Sequence, residues 1–149
     1  MNKLTSLILV LALLLAGTAF AEENFMPMPE AAAVYEGTWV CDRASIEIVW
    51  EEEGFRVAIA WGSSAFENTE WEYSCFYHEE DNTLVAMPTG SRTEFTYDDN
   101  GEVKSFSVVY DDGEATFSLD ENGFLIWNDA KEGAGKDMLF ERVENPEAE

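Results

Sequence analysis

Phe55-Arg56-Val57-Ala58-Ile59-Ala60-Trp61-Gly62 alternates: Phe55, Val57, Ile59 and Trp61 fall on one side of an extended chain, Arg56, Ala58, Ala60 and Gly62 on the other. A period of two marks a β-strand whose two faces meet different surroundings. The neighbouring sequence keeps the rhythm. Ile46, Ile48 and Trp50 oppose Glu47 and Glu51, and Trp71, Tyr73, Cys75 and Tyr77 oppose Glu70, Glu72, Ser74 and Phe76. Farther on, Ala115, Phe117 and Leu119 alternate with Thr116 and Ser118. Turn clusters separate these runs: Glu53-Gly54, Glu79 to Asn82, Asp98 to Gly101, Asp111 to Gly113 and Asp120 to Gly123. Their Asn-Gly and Asp-Gly pairs supply the positive φ angles that tight hairpins need. Turn signals at intervals of roughly 10 residues, with no long helical period, predict an all-β chain. The expected fold is an antiparallel meander of about eight to ten strands. A meander removes its edges most completely by closing into a barrel, first strand against last. Two packed sheets are the competing arrangement.

The ends of the chain read differently. Met1-Asn2-Lys3, an apolar run from Leu4 to Ala16 and the small residues Ala19 and Ala21 have the form of a signal peptide over residues 1–21. The apolar run is short for a bilayer span of about 20 residues, so no membrane span is expected in the mature chain. The expected location is secreted or periplasmic. Residues 22–36 form an N-terminal lead-in. Within it Met26-Pro27-Met28-Pro29 is held extended by its prolines, and Pro29 to Val34 predicts a short helical turn. The barrel domain is expected over 37–144, with a disordered tail at 145–149.

Lys and Arg number 8 against 31 Asp and Glu, a net charge of −23 at pH 7. Binding to nucleic acid requires phosphates to be neutralised by Lys and Arg, so this acidic protein is not a nucleic-acid binder. The same field steers a basic protein partner inward. Cys41 and Cys75 are the only cysteines, and in an exported chain a disulfide between them is expected. A thiol nucleophile is disfavoured: the sole histidine, His78, lies three residues beyond Cys75, on the opposite face of a strand. One histidine also excludes a histidine-rich metal site.

No catalytic constellation stands out. Asp98, Asn100 and Glu102 echo a calcium loop, but the 12-residue loop with its closing glutamate is absent, and turns use the same residues. There is no nucleophile elbow, phosphate-cradling loop or dinucleotide fingerprint, so neither an enzyme nor a cofactor is expected. The aromatic set is more informative. Trp50, Trp61, Trp71 and Tyr73 are candidates to line a barrel interior holding a small apolar or amphipathic ligand. The small residues Ala58, Ala60 and Gly62 either border a hollow or make room for bulky neighbours.

Gly37-Thr38-Trp39, preceded by a short helical turn, resembles the start of lipocalins and of the wider calycin group, which includes fatty-acid-binding proteins. In lipocalins that tryptophan packs at the closed end of the barrel against an arginine near the last strand, a position matched by Arg142. The resemblance implies a lipocalin-like barrel and a small apolar ligand, with Gly37, Trp39 and Arg142 in structural roles. The central Thr-Asp-Tyr element of lipocalins is missing, and Thr93-Glu94-Phe95 is only a distant echo of it. Fatty-acid-binding proteins clamp a carboxylate with an arginine and a tyrosine two residues later, but here that later position is Glu144. Cys41-Asp42 beside Ile46-Glu47-Ile48 is similar to small periplasmic lysozyme inhibitors. The expectation is therefore an exported, non-enzymatic binding protein for a small apolar ligand. The alternative is an acidic inhibitor or interaction module acting on a basic protein.

Overall fold

The computed structural model describes residues 26–144. The expected signal peptide at 1–21, residues 22–25 of the lead-in and the tail at 145–149 lie outside the described residues. A 3-10 turn over Glu30–Tyr35 precedes ten strands: β1 (Gly37–Cys41), β2 (Ala44–Glu51), β3 (Gly54–Gly62), β4 (Glu67–His78) and β5 (Thr83–Ala86). Then follow β6 (Gly90–Tyr97), β7 (Val103–Gly113), β8 (Ala115–Leu119), β9 (Leu125–Asp129) and β10 (Glu141–Arg142).

Eight of the strands form a nearly closed antiparallel barrel in the order β10-β1-β2-β3-β4-β5-β8-β9. The seam closes where Leu125 and Phe140 exchange amide–carbonyl hydrogen bonds, both 2.9 Å, just ahead of β10. Trp39 and Val40 of β1 then pair with Arg142 and Glu141. First strand meets last, as the meander predicts.

Two strands leave the ring. β4 is 12 residues long; Cys75–His78 pair with β5, while Glu67–Glu72 pair with β6. The split follows from Met87-Pro88-Thr89 after β5, where proline has no amide to continue the ladder. β6 and β7 thus form a ribbon rising from the barrel wall, and β7 pairs with β6 alone. The ribbon base passes close over Tyr73: a Cβ on Gly90 would lie 2.4 Å from that ring. Only glycine fits there.

The alternation seen in the sequence sorts the two faces. Ile46, Ile48, Phe55, Val57, Ile59, Trp71, Tyr73, Phe117, Leu125 and Trp127 are all buried inward. Each such side chain stabilises the fold by roughly 1.5–3 kcal/mol. Ala32 and Tyr35 of the 3-10 turn are also fully buried and plug one end. Trp39 Nε1 donates to Tyr35 O (3.0 Å), and the Arg142 guanidinium lies 5.3 Å over the Trp39 ring. Arg142 also donates to Val34 O (2.9 Å) and Glu36 O, and a Cβ on Gly37 would press on its Nη2 at 3.1 Å. The glycine two residues before Trp39 makes room for the arginine. An antiparallel barrel of this kind is compatible with a calycin-like fold.

The disulfide expectation is corrected: Cys41 and Cys75 are not bonded. Register gives the reason. Cys41 lies level with Ala44 of β2, Trp61 of β3 and Thr69 of β4, whereas Cys75 lies level with Phe55. The cysteines are three strands apart and offset by the stretch from Thr69 to Cys75, about 20 Å along the sheet. A disulfide needs Cα atoms within about 7 Å.

The acidic turns are tied to their own backbone. Asp98 Oδ1 accepts from the amides of Asn100 (2.9 Å) and Glu102 (3.0 Å), and Asp120 Oδ1 from Asn122 and Phe124 (both 2.9 Å). Among the described residues no helix is long and apolar enough to cross a membrane, and no group of three or more His, Cys, Asp or Glu side chains is placed to hold a metal.

Candidate functional site: a trough on the outer sheet face

The four aromatic candidates all belong to the inner face, but they do not share one pocket. Trp50 sits beside Phe55 at one end of β3, rings edge-to-face at 5.0 Å. Trp61 sits at the other end, tilted against Trp71 at 6.3 Å. Trp71 meets Trp127 edge-to-face at 5.0 Å, and Tyr73 meets Phe117 at 5.9 Å. Trp50–Phe55 and Trp61–Trp71 join neighbouring strands, whereas Trp71–Trp127 and Tyr73–Phe117 join strands that are not neighbours in the ring, so those rings take up interior space. Trp71 Nε1 donates to Tyr110 Oη (3.1 Å), and Arg92 lies 5.6 Å over the Trp71 ring. The Tyr73 hydroxyl and Trp127 Nε1 are buried without a hydrogen-bond partner among the described residues. Burial, then the charge of Asp129, holds the Tyr73 phenol far above its ordinary pKa. Burial alone pushes the Cys75 thiol up to about 12, which keeps it un-ionised and unreactive.

The outer face has the opposite character. Register lays its side chains out in rows across the wall. One row runs Thr38, Glu47, Ala58, Glu72, Ser91; the next runs Val40, Ser45, Ala60, Glu70, Thr93, Val108; a third runs Gly62, Asn68, Phe95, Phe106. β3 contributes the small residue in every row. The result is a trough along β3, floored by Ala58 and Ala60, of about 420 Å³. Glu47 and Ser45 form one wall; Glu72, Glu70, Thr93 and Phe95 form the other. Two strand spacings separate Glu47 from Glu72, about 9.5 Å. That width admits one extended side chain.

Arg56 shows what the trough's upper end does with a cation. It precedes Ala58 on the outer face of β3, donates to Glu51 (2.9 Å) and lies 3.6 Å from Glu47. The hydrogen bond to Glu51, with the charges of Glu51, Glu47 and Glu72 behind it, raises the Arg56 pKa above its ordinary value. Farther down, Glu70 accepts from Asn68 (2.9 Å). Below Arg56 the trough contains no basic side chain of its own.

The small face of β3 is legible in the sequence, but its position in the wall is not. The missing information was the identity of the flanking strands, which only the register supplies. Asp129 does not stand out in the strand pattern either, yet it is buried and accepts from the amides of Lys131 (3.1 Å), Glu132 (3.2 Å) and Ala134 (3.1 Å). That carboxylate pins the Glu132–Gly135 stretch, and an aspartate opening a glycine-rich turn was the available signal. No family model matches the chain, no curated protein is significantly similar to it, and no solved structure matches its fold significantly.

Proposed function

We propose that this is an exported, non-enzymatic interaction module that recognises a basic protein or peptide, as an inhibitor or a binding partner, through the trough along β3. The supporting observation is the alanine floor between two walls of carboxylates. A lysine or arginine is a long apolar stem with a charged head. Its stem would lie on Ala58 and Ala60, and its head would sit between Glu47 and Glu70 or Glu72. The net charge of −23 speeds the encounter. Isothermal titration with a lysine–glycine repeat peptide tests this, with a glutamate–glycine peptide as control. Affinity for the lysine peptide should fall as ionic strength rises towards physiological, where charges beyond about 8 Å are screened. Replacing both Ala58 and Ala60 by leucine fills the floor without altering charge and should weaken binding about tenfold or more. Unchanged affinity in that variant would assign the binding to diffuse charge and end the trough reading.

A second reading, capture of a small apolar ligand inside a lipocalin-like barrel, draws support from the orphaned Tyr73 hydroxyl and Trp127 Nε1. Buried polar atoms without partners call for a ligand atom or a water. Such a guest would have to part the Trp71–Trp127 and Tyr73–Phe117 pairs. Saturable quenching of tryptophan emission by an apolar probe would favour this reading, and an unchanged spectrum would count against it.

A further inference from the structure

The trough has a neighbour farther along β3. Beyond Ala58 the outer face of the strand continues through Arg56 to Gly54, and the Arg56 guanidinium leans over β2 towards Glu51 and Glu47. Gly54 of β3 and Phe76 of β4 both lie one position past the Phe55–Cys75 pair. Met87 N donates to Ser74 O (2.8 Å), which sets Met87 beside Ser74. These residues border a second hollow, of about 750 Å³, at the β2–β3 turn. Phe76 and Met87 stand on one side of it, 46% and 50% exposed, and Glu51, Glu52 and Glu53 on the other. Trp50 lines the same hollow, and its Nε1 is buried without a hydrogen-bond partner among the described residues.

We infer that this hollow is a second subsite for an extended basic peptide, which lays its lysine or arginine in the trough and seats an apolar side chain four positions away between Phe76 and Met87. The inference rests on the trough reading and names the sequence pattern that the site selects. Charge picks the occupant. Glu51, Glu52 and Glu53 rim the hollow as Glu47, Glu70 and Glu72 wall the trough, so an anionic amphiphile is repelled at both places and a cationic chain is drawn to both. Spacing sets the pattern. Ala58 and Gly54 are four residues apart, about 13–14 Å along the strand. A peptide running along β3 advances at the same rate, so its side chains four positions apart point to the sheet together. Those three positions apart point to opposite sides. The side chain two positions along meets Arg56, whose guanidinium is turned aside to Glu51. A peptide carbonyl supplies the acceptor that Trp50 Nε1 lacks. Covering Phe76 and Met87 removes apolar surface from water, which the lysine alone does not do.

NMR titration of the isotope-labelled protein tests it. The probes are capped glycine–serine peptides with a single lysine: one without leucine, two with leucine four positions from the lysine (before it or after it), and one with leucine three positions away. Leucine at four positions should tighten binding about tenfold in one of the two orders. The same peptide should shift the Trp50 indole N–H resonance, identified by its loss in Trp50→Phe. Leucine at three positions should add nothing. Phe76→Ser combined with Met87→Ser should bring the tighter peptide down to the affinity of the leucine-free one. An equal gain at both spacings would overturn the inference, as would a gain that survives the double serine variant. A lysine peptide that binds, and is weakened by Ala58→Leu with Ala60→Leu, but gains nothing from leucine in either order would overturn this inference and leave the trough standing. No binding of any lysine peptide would end both.

Discussion

β3 and β4 present two faces that share one backbone and differ in every other respect. Inward, Phe55, Val57, Ile59, Trp71 and Tyr73 are buried against each other and against Phe117 and Trp127. Outward, the same strands show Ala58, Ala60, Glu70 and Glu72, half-buried or exposed. The inner face meets its packing needs within the chain. The outer face combines a depression, a field and an apolar ribbon that its own side chains leave uncovered. In this barrel the tightly packed apolar side chains lie inside, and the carboxylates and the open depression lie outside.

The largest expected effect tests the filled interior. Trp127→Ala should cost about 3–5 kcal/mol, the range for truncating a large aromatic in a packed core. Urea unfolding followed by circular dichroism measures it. A cost under about 1 kcal/mol would mean that the indole borders empty space, and would revive the enclosed-guest reading.

Alkaline pH separates the faces next. Cys75 and Tyr35 have folded pKa values of about 12 against ordinary values of 9.0 and 10.0, both because of burial first. Tyr73 is raised in the same direction. Each raised pKa means that the folded state holds the proton more tightly than the unfolded state. That stabilisation is complete below pH 9 and is lost as pH climbs from 9 towards 12. The melting temperature should therefore decline across this window. In Cys75→Ala the decline should begin nearer pH 10, where the tyrosines take over. An onset unmoved by that substitution would show that Cys75 ionises as easily folded as unfolded.

Thiol labelling sharpens the same contrast between sites. Cys41, half-buried at the end of β1, should react with a maleimide in the native protein, and Cys75 only after unfolding. Equal protection of both, reversed by a reductant, would restore the disulfide that the register of β1 to β4 rules out.

Much of this architecture is legible in the sequence, for a definite reason. Alternation at 46–50, 55–61 and 71–77 assigns each side chain to a face, and Asp-Gly and Asn-Gly turns mark where strands reverse. Both signals are local. Whether Cys41 pairs with Cys75, by contrast, does not follow from cysteine number and compartment; the offset of Thr69 from Cys75 along β4 decides it. The departure of β6 and β7 from the ring is non-local too: it needs β4 to outrun β5, and no residue within β4 announces that. The trough is intermediate. Ala58, Ala60 and Gly62 advertise a small face, but the carboxylates that give it character come from β2 and β4, brought level by register.

One substitution made on both faces is the finest test. Ala44 and Ala60 lie close together in the barrel wall, since Ala44 pairs with Trp61 and Ser45 with Ala60. Ala44 faces inward at 2% exposure; Ala60 faces out into the trough. Ala44→Leu pushes new methyl groups into a packed core and should cost about 1–3 kcal/mol. Ala60→Leu adds the same atoms to an open depression and should change stability by less than about 0.5 kcal/mol. Both can be read from denaturant midpoints at constant slope. If the two costs are equal, the outer face is packed as tightly as the inner one and has no room for a basic side chain. If Ala60→Leu is silent in stability yet weakens binding of the lysine peptide, the space above β3 is the place where that peptide sits.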